Sequence, residues 1–83
     1  MYTLKIFPKA RKNLKEISHR YQETLLTAFE DLRDDPFLGK PLERELTGRY
    51  TYRVGVYRII YKIRKKDKVV EILDAGHRAT VYQ

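Results

Sequence analysis

The stretch from Tyr50 to Arg64 reads YTYRVGVYRIIYKIR, and its period of two decides the fold. Tyr50, Tyr52 and Val54 alternate with Thr51 and Arg53. After Gly55-Val56 the alternation resumes, with Tyr57, Ile59, Tyr61 and Ile63 on one side and Arg58, Ile60, Lys62 and Arg64 on the other. Successive side chains of a strand point to opposite faces, so each run is a strand with an apolar face and a more polar, cationic one. Gly55-Val56 is a tight hairpin signal, because glycine supplies the positive φ that short turns require. The expectation is an antiparallel hairpin of Tyr50–Val54 and Tyr57–Arg64. Its apolar face is covered by the rest of the chain, and its other face presents Arg49, Arg53, Arg58 and Lys62.

On the C-terminal side, Lys65-Lys66-Asp67-Lys68 reads as a polar turn, and residues 69–75 (VVEILDA) as a third strand of the same meander. On the N-terminal side, Tyr2, Leu4 and Ile6 alternate with Thr3, Lys5 and Phe7, which predicts a short first strand. Pro8 suits the first turn of a helix. Ala10, Leu14, Ile17 and Tyr21 then recur at helical spacing, with a break expected near residues 18–20. A second helix places Leu25, Ala28, Phe29 and Leu32 on one stripe and stops at Asp34-Asp35-Pro36, since the residue before proline avoids helical angles. Residues 36–48 (PFLGKPLERELTG) read as a connector pinned by Phe37, Leu38, Leu42 and Leu46. The order β-α-α-β-β-β makes the class α+β: an N-terminal strand, a helical hairpin and a three-stranded antiparallel meander, with the helices packed on one face of an antiparallel sheet.

At 83 residues the chain predicts one domain, 1–83, and excludes multidomain enzymes and large cofactor folds. Cysteine is absent, which excludes a disulfide scaffold; with His19 and His77 the only histidines, a structural zinc site is not expected. No metal or other cofactor is implied. The first residues hold no apolar stretch of signal-peptide length, and no run approaches a membrane span, so the expectation is a cytoplasmic protein without a membrane partner. The formal net charge is +7. Residues 1–20 carry six Lys or Arg and one acid, residues 21–48 three and seven, residues 49–83 nine and three. Both ends are therefore basic, and a field of that sign favours polyanions. Alternating cations on an exposed sheet face also serve solubility alone, and the seven tyrosines also serve packing.

The tail is more specific. Gly76-His77-Arg78 closes the last apolar strand, and Tyr82 follows four residues after Arg78. Histidine and tyrosine move protons, and arginine stabilises charged phosphate. No glycine-rich phosphate loop, nucleophile elbow or paired acid cluster is present in the sequence. A nuclease built from these residues is expected to work without a metal on RNA, whose own 2′-hydroxyl serves as nucleophile.

These residues carry a resemblance. Arg53 to Tyr61 (RVGVYRIIY) resembles the hairpin of the RelE/ParE toxin superfamily, and Gly76-His77-Arg78 with Val81-Tyr82 resembles its GHRxxVY ending. The connector Pro36 to Leu42, followed by Leu46-Thr47-Gly48, fits as well, so the likeness spans essentially the whole chain. The resemblance implies a toxin of a type II toxin–antitoxin system, neutralised by a cognate antitoxin protein. RelE-type members enter the ribosomal A site and cut mRNA there; members resembling ParE poison DNA gyrase; a third expectation is an inactive relative that only binds RNA or its antitoxin. By the RelE-type resemblance, Arg58 contacts the scissile phosphate, Arg78 stabilises charge on the leaving group, and Tyr82 or His77 takes the proton. Arg49, Arg53 and Lys62 complete the basic RNA-binding face. Thr51 stands where RelE has a second lysine, a departure that Arg53 is placed to offset.

Overall fold

Two prolines bracket the helical half of the chain. The computed structural model describes residues 2–77, and in it β1 (Thr3–Ile6) leads directly into α1 (Pro8–Glu16). Pro8 opens the helix, where its missing N–H forfeits no intrahelical bond. The break falls at Ile17 and Ser18, slightly ahead of the expected residues 18–20, and His19 and Arg20 already belong to α2 (His19–Asp34). Gln22 seals it: its side-chain amide donates to the carbonyls of Leu14 and Ile17 at 3.0 and 2.7 Å, adding to the Ile17 N–H that already caps Leu14 at the end of α1. α2 stops at Asp35, extended as the residue before a proline prefers, and the Asp35 carboxylate accepts the Phe37 N–H at 3.1 Å.

The remaining strands are β2 (Lys40–Pro41), β3 (Tyr50–Val54), β4 (Tyr57–Arg64) and β5 (Val69–His77), in sheet order β1-β5-β4-β3-β2. The antiparallel meander β3-β4-β5 is as the alternation predicts. The sheet as a whole is mixed, which corrects the expectation of a wholly antiparallel one. β1 lies parallel to β5, from Thr3 opposite Val69 to Ile6 opposite Ile72. Parallel pairing needs a crossover of a dozen residues or more, and no local sequence signal announces it. The connector adds β2 at the other edge, with Lys40 opposite Thr51. Pro41 is tolerated there because an edge strand does not need its N–H.

Ala10 of α1 and Leu25, Ala28, Phe29 and Leu32 of α2 close over Ile59, Tyr61, Val70, Ile72 and Ala75. Phe29 is 1% exposed, so truncating it to alanine would cost about 3–5 kcal/mol. The connector is held differently from the sequence expectation. Phe37 and Leu38 are about half exposed, at 51% and 47%, and do not pin it; Pro36 is buried instead. The Tyr61 hydroxyl donates to the Pro36 carbonyl at 2.6 Å and accepts the Gly39 N–H at 3.1 Å. Burial pushes that hydroxyl from 10.0 up to about 12, against the lowering pull of the Gly39 N–H, so it stays a neutral donor. Gly39 lies so close that a Cβ there would run into the Tyr61 hydroxyl and sit 2.6 Å from the Thr51 carbonyl oxygen.

Candidate nucleic-acid site

Antiparallel pairing places directly opposed residues on one face. Arg53 lies opposite Arg58 and Thr51 opposite Ile60, on the face turned away from the core, while Tyr52 opposite Ile59 faces the helices. The turn at Gly55, with φ +60°, brings the two arginines together at the hairpin end. Like charges directly opposed on a sheet are destabilising, and an anion between them reverses the sign of that contribution. The pair lines a cavity of about 360 Å³ with Leu38, Lys40 and Thr51, and no carboxylate is among its lining residues. Two guanidinium groups and an ammonium group around one opening suit a phosphate, with arginine able to hold two oxygens at once.

Lys62 shares the Arg58 face of β4 but belongs to a different neighbourhood. It lies opposite Glu71, as does Lys5 from the other side. Glu71 is 5% exposed and its Oε2 accepts from Arg64 Nε at 3.0 Å. Arg49 stands one residue before β3, half-buried, its backbone bonded to Leu46 and Leu42.

β5 carries an irregularity that sorts the tail residues. Ile60 pairs with Asp74 and Tyr61 with Ile72, which leaves Leu73 as an extra residue. Asp74, 6% exposed, meets α1: it accepts from the Asn13 amide at 2.7 Å and pairs with Lys9 at 3.2 Å. Beyond it, Gly76 lies opposite Arg58, and His77 lies opposite Tyr57. His77 is therefore on the helix side of the sheet. Its ring meets Tyr57 edge-on at 6.1 Å, and it lines a second cavity of about 340 Å³ with Lys9, Asn13, Glu16 and Asp74. The structure thus brings Arg53 and Arg58 together and sets His77 on the opposite face. Arg78 and Tyr82 lie outside the described residues.

Lys40 is the cavity residue that the sequence reading did not single out. A signal for it exists. A residue before proline is biased to extended backbone, so Lys40 before Pro41 is a natural edge-strand residue. Among the described residues, no group of three or more His, Asp or Glu side chains is arranged to hold a metal ion, and no helix is long and apolar enough to cross a membrane.

A two-helix layer on one five-stranded sheet has counterparts among known proteins. The family model described as the ParE toxin of type II toxin–antitoxin systems matches residues 4–82. The chain belongs to this family, within the RelE/ParE toxin superfamily. Among individual proteins, it is 38% identical to Toxin RelG of Mycobacterium tuberculosis over 84 residues, covering 99% of this chain and 97% of that one. The crystal structure of the toxin–antitoxin complex RelBE2 from the same organism matches with a TM-score of 0.87 and 38% identity, over 93% of this chain and 98% of that one. The archaeal RelE–RelB complex of Pyrococcus horikoshii matches with a TM-score of 0.78 and 29% identity, over 96% and 98% of the two chains.

Proposed function

We propose that this toxin is a ribosome-dependent endoribonuclease that cuts mRNA in the A site, acts in the cytoplasm and is held inactive by a cognate antitoxin. The observation that carries the reading is the Arg53–Arg58 pair, facing one another across β3 and β4 on the wall of an open cavity. Both toxin–antitoxin complexes matched above support the antitoxin.

In this mechanism the 2′-hydroxyl oxygen attacks its adjacent phosphorus in line, and the bond from phosphorus to the 5′-oxygen breaks. Arg58, with Arg53 beside it, stabilises the added negative charge of the phosphorane. Such charge stabilisation requires no metal. Tyr82 takes the 2′-hydroxyl proton; the place of His77 on the helix side of the sheet favours Tyr82 over it. A free tyrosine titrates near ~10, and neighbouring cations lower that value. Arg78 offsets the charge on the departing 5′-oxygen, which takes up a proton from water and leaves as a hydroxyl. The products are a 2′,3′-cyclic phosphate and a 5′-hydroxyl end.

Primer extension on a defined mRNA, with and without a ribosome stalled at a known codon, tests the reading. A new 5′ end inside the A-site codon, dependent on the ribosome, is expected. The family model bears the ParE name, which keeps gyrase poisoning as the second reading. Intact mRNA together with inhibition of purified gyrase would establish it instead.

A further inference from the structure

The cavity beside Arg53 and Arg58 has a third cation, and it comes from the connector. Lys40 lies directly opposite Thr51 on β3, so it shares the face that carries Arg53 and Arg58, and it lines their cavity. Its backbone is fixed on both sides. Gly39, just before it, donates its N–H to the Tyr61 hydroxyl at 3.1 Å and packs against the Thr51 carbonyl too closely for any side chain. Leu42, two residues after it, donates its N–H to the Arg49 carbonyl at 2.8 Å. Pro41 between them locks one backbone angle. The lysine root is thus held by a buried tyrosine, a glycine contact and a ladder bond, although the side chain itself is exposed. Such a support leaves the ammonium free to reach a ligand without ordering the strand at the same time.

We propose that Lys40 contacts substrate phosphate directly, as the third cation of the cleavage site formed with Arg53 and Arg58. The inference rests on reading that cavity as the RNA-cleaving site. The lining cations come from three strands, β2, β3 and β4, which converge on one opening. A lysine acts as a point charge that follows a phosphate as it changes shape, whereas an arginine fork fixes its orientation. In that division the arginines set the geometry and Lys40 adds charge where the phosphorane gains it.

Two measurements on the full chain test this. The first is single-turnover cleavage of ribosome-bound mRNA by wild type, Lys40→Ala, Lys40→Arg, Arg58→Ala and Lys66→Ala, the last removing one positive charge from a residue that does not line the cavity. Lys40→Ala is expected to slow cleavage by ~10–100-fold, and Lys40→Arg to recover most of the rate. Lys66→Ala should stay within about twofold of wild type, as expected for a charge outside the cavity. The second is the salt dependence of binding to a single-stranded 2′-O-methyl RNA oligonucleotide, which the enzyme cannot cut. Losing one phosphate contact should reduce the log–log slope by about 0.7 in Lys40→Ala and leave it unchanged in Lys66→Ala. If Lys40→Ala behaves as Lys66→Ala in both measurements, the inference is overturned, while loss of cleavage in Arg58→Ala leaves the nuclease reading standing. If wild type does not cleave at all, the nuclease reading falls and the inference falls with it; an oligonucleotide slope that still depends on Lys40 would then report RNA binding alone.

Discussion

One face of the sheet holds two groups of cations with opposite surroundings. At one end, Lys5, Lys62 and Arg64 gather around Glu71, a carboxylate only 5% exposed. At the other, Lys40, Arg53 and Arg58 line a cavity whose lining residues include no carboxylate. In sequence the two ends look alike, since Arg58, Lys62 and Arg64 simply recur along β4. In the first group Arg64 pairs with Glu71 at 3.0 Å, and Lys5 and Lys62 stand opposite the same carboxylate in the register. The second group opens on a cavity large enough for a phosphate. Alternation of cations therefore marks a face, and the cavity bordered by β2 and β3 marks the site within it.

The sharpest way to break this comparison is to remove one cation from each end. Arg58→Ala should reduce single-turnover cleavage by ~10²–10³-fold, about 2.7–4 kcal/mol of transition-state stabilisation, while the melting curve keeps its cooperative form. An Arg58→Ala enzyme that cuts at the wild-type rate would place the reaction elsewhere.

Next in size is the latch behind the Lys40 end. Tyr61→Phe removes the donor to Pro36 and the acceptor for Gly39, and should cost ~1–3 kcal/mol in denaturant unfolding. It also changes the pH profile. The Tyr61 hydroxyl is raised to about 12 in the fold against 10.0 in the open chain, so the folded state keeps its proton where the unfolded chain loses it. Its contribution is complete below pH 10 and is lost as the pH rises from 10 towards 12. Wild type should lose stability across that window faster than Tyr61→Phe, and parallel profiles would show that the latch carries no such linkage.

At the Glu71 end, Glu71→Gln should cost roughly 1 kcal/mol, because Arg64 is largely exposed and solvent screens the pair. Cleavage should be spared. The smallest effect belongs to Lys62→Ala, expected within about threefold of wild type in cleavage, as for a rim charge screened by solvent and salt. A large loss from Lys62→Ala, with Glu71→Gln also inactive, would merge the two ends into one site.

Legibility differed between fold and site for a physical reason. The hairpin, both helices and the third strand could be read because each obeys a local period, and Gly55 and Pro36 mark local stops. Arg53 and Arg58 could be read as neighbours because a two-residue turn fixes the register of the strands it joins. His77 could not be placed, because the extra residue at Leu73 breaks the period just before the tail. Lys40 escaped notice because the two-residue β2 is too short for any period to appear. The connector anchors were misassigned for a related reason. Phe37 and Leu38 are apolar enough for a core, but the hydrogen bond from Tyr61, 25 positions away from Pro36, turns the buried side of the segment towards Pro36.

By itself the sequence determined the α+β class, the meander, the helix stops and the two-sided character of β3 and β4, all of them consequences of spacing between near neighbours. Tertiary structure alone decided the parallel seat of β1 beside β5, the place of Lys40 next to the arginine pair, the side of the sheet that His77 occupies, and which cations meet a buried acid. Each of those depends on residues far apart in the chain meeting across the sheet, and the cost of closing the intervening loops is repaid only when the whole core forms around Phe29, Tyr61 and Ile72.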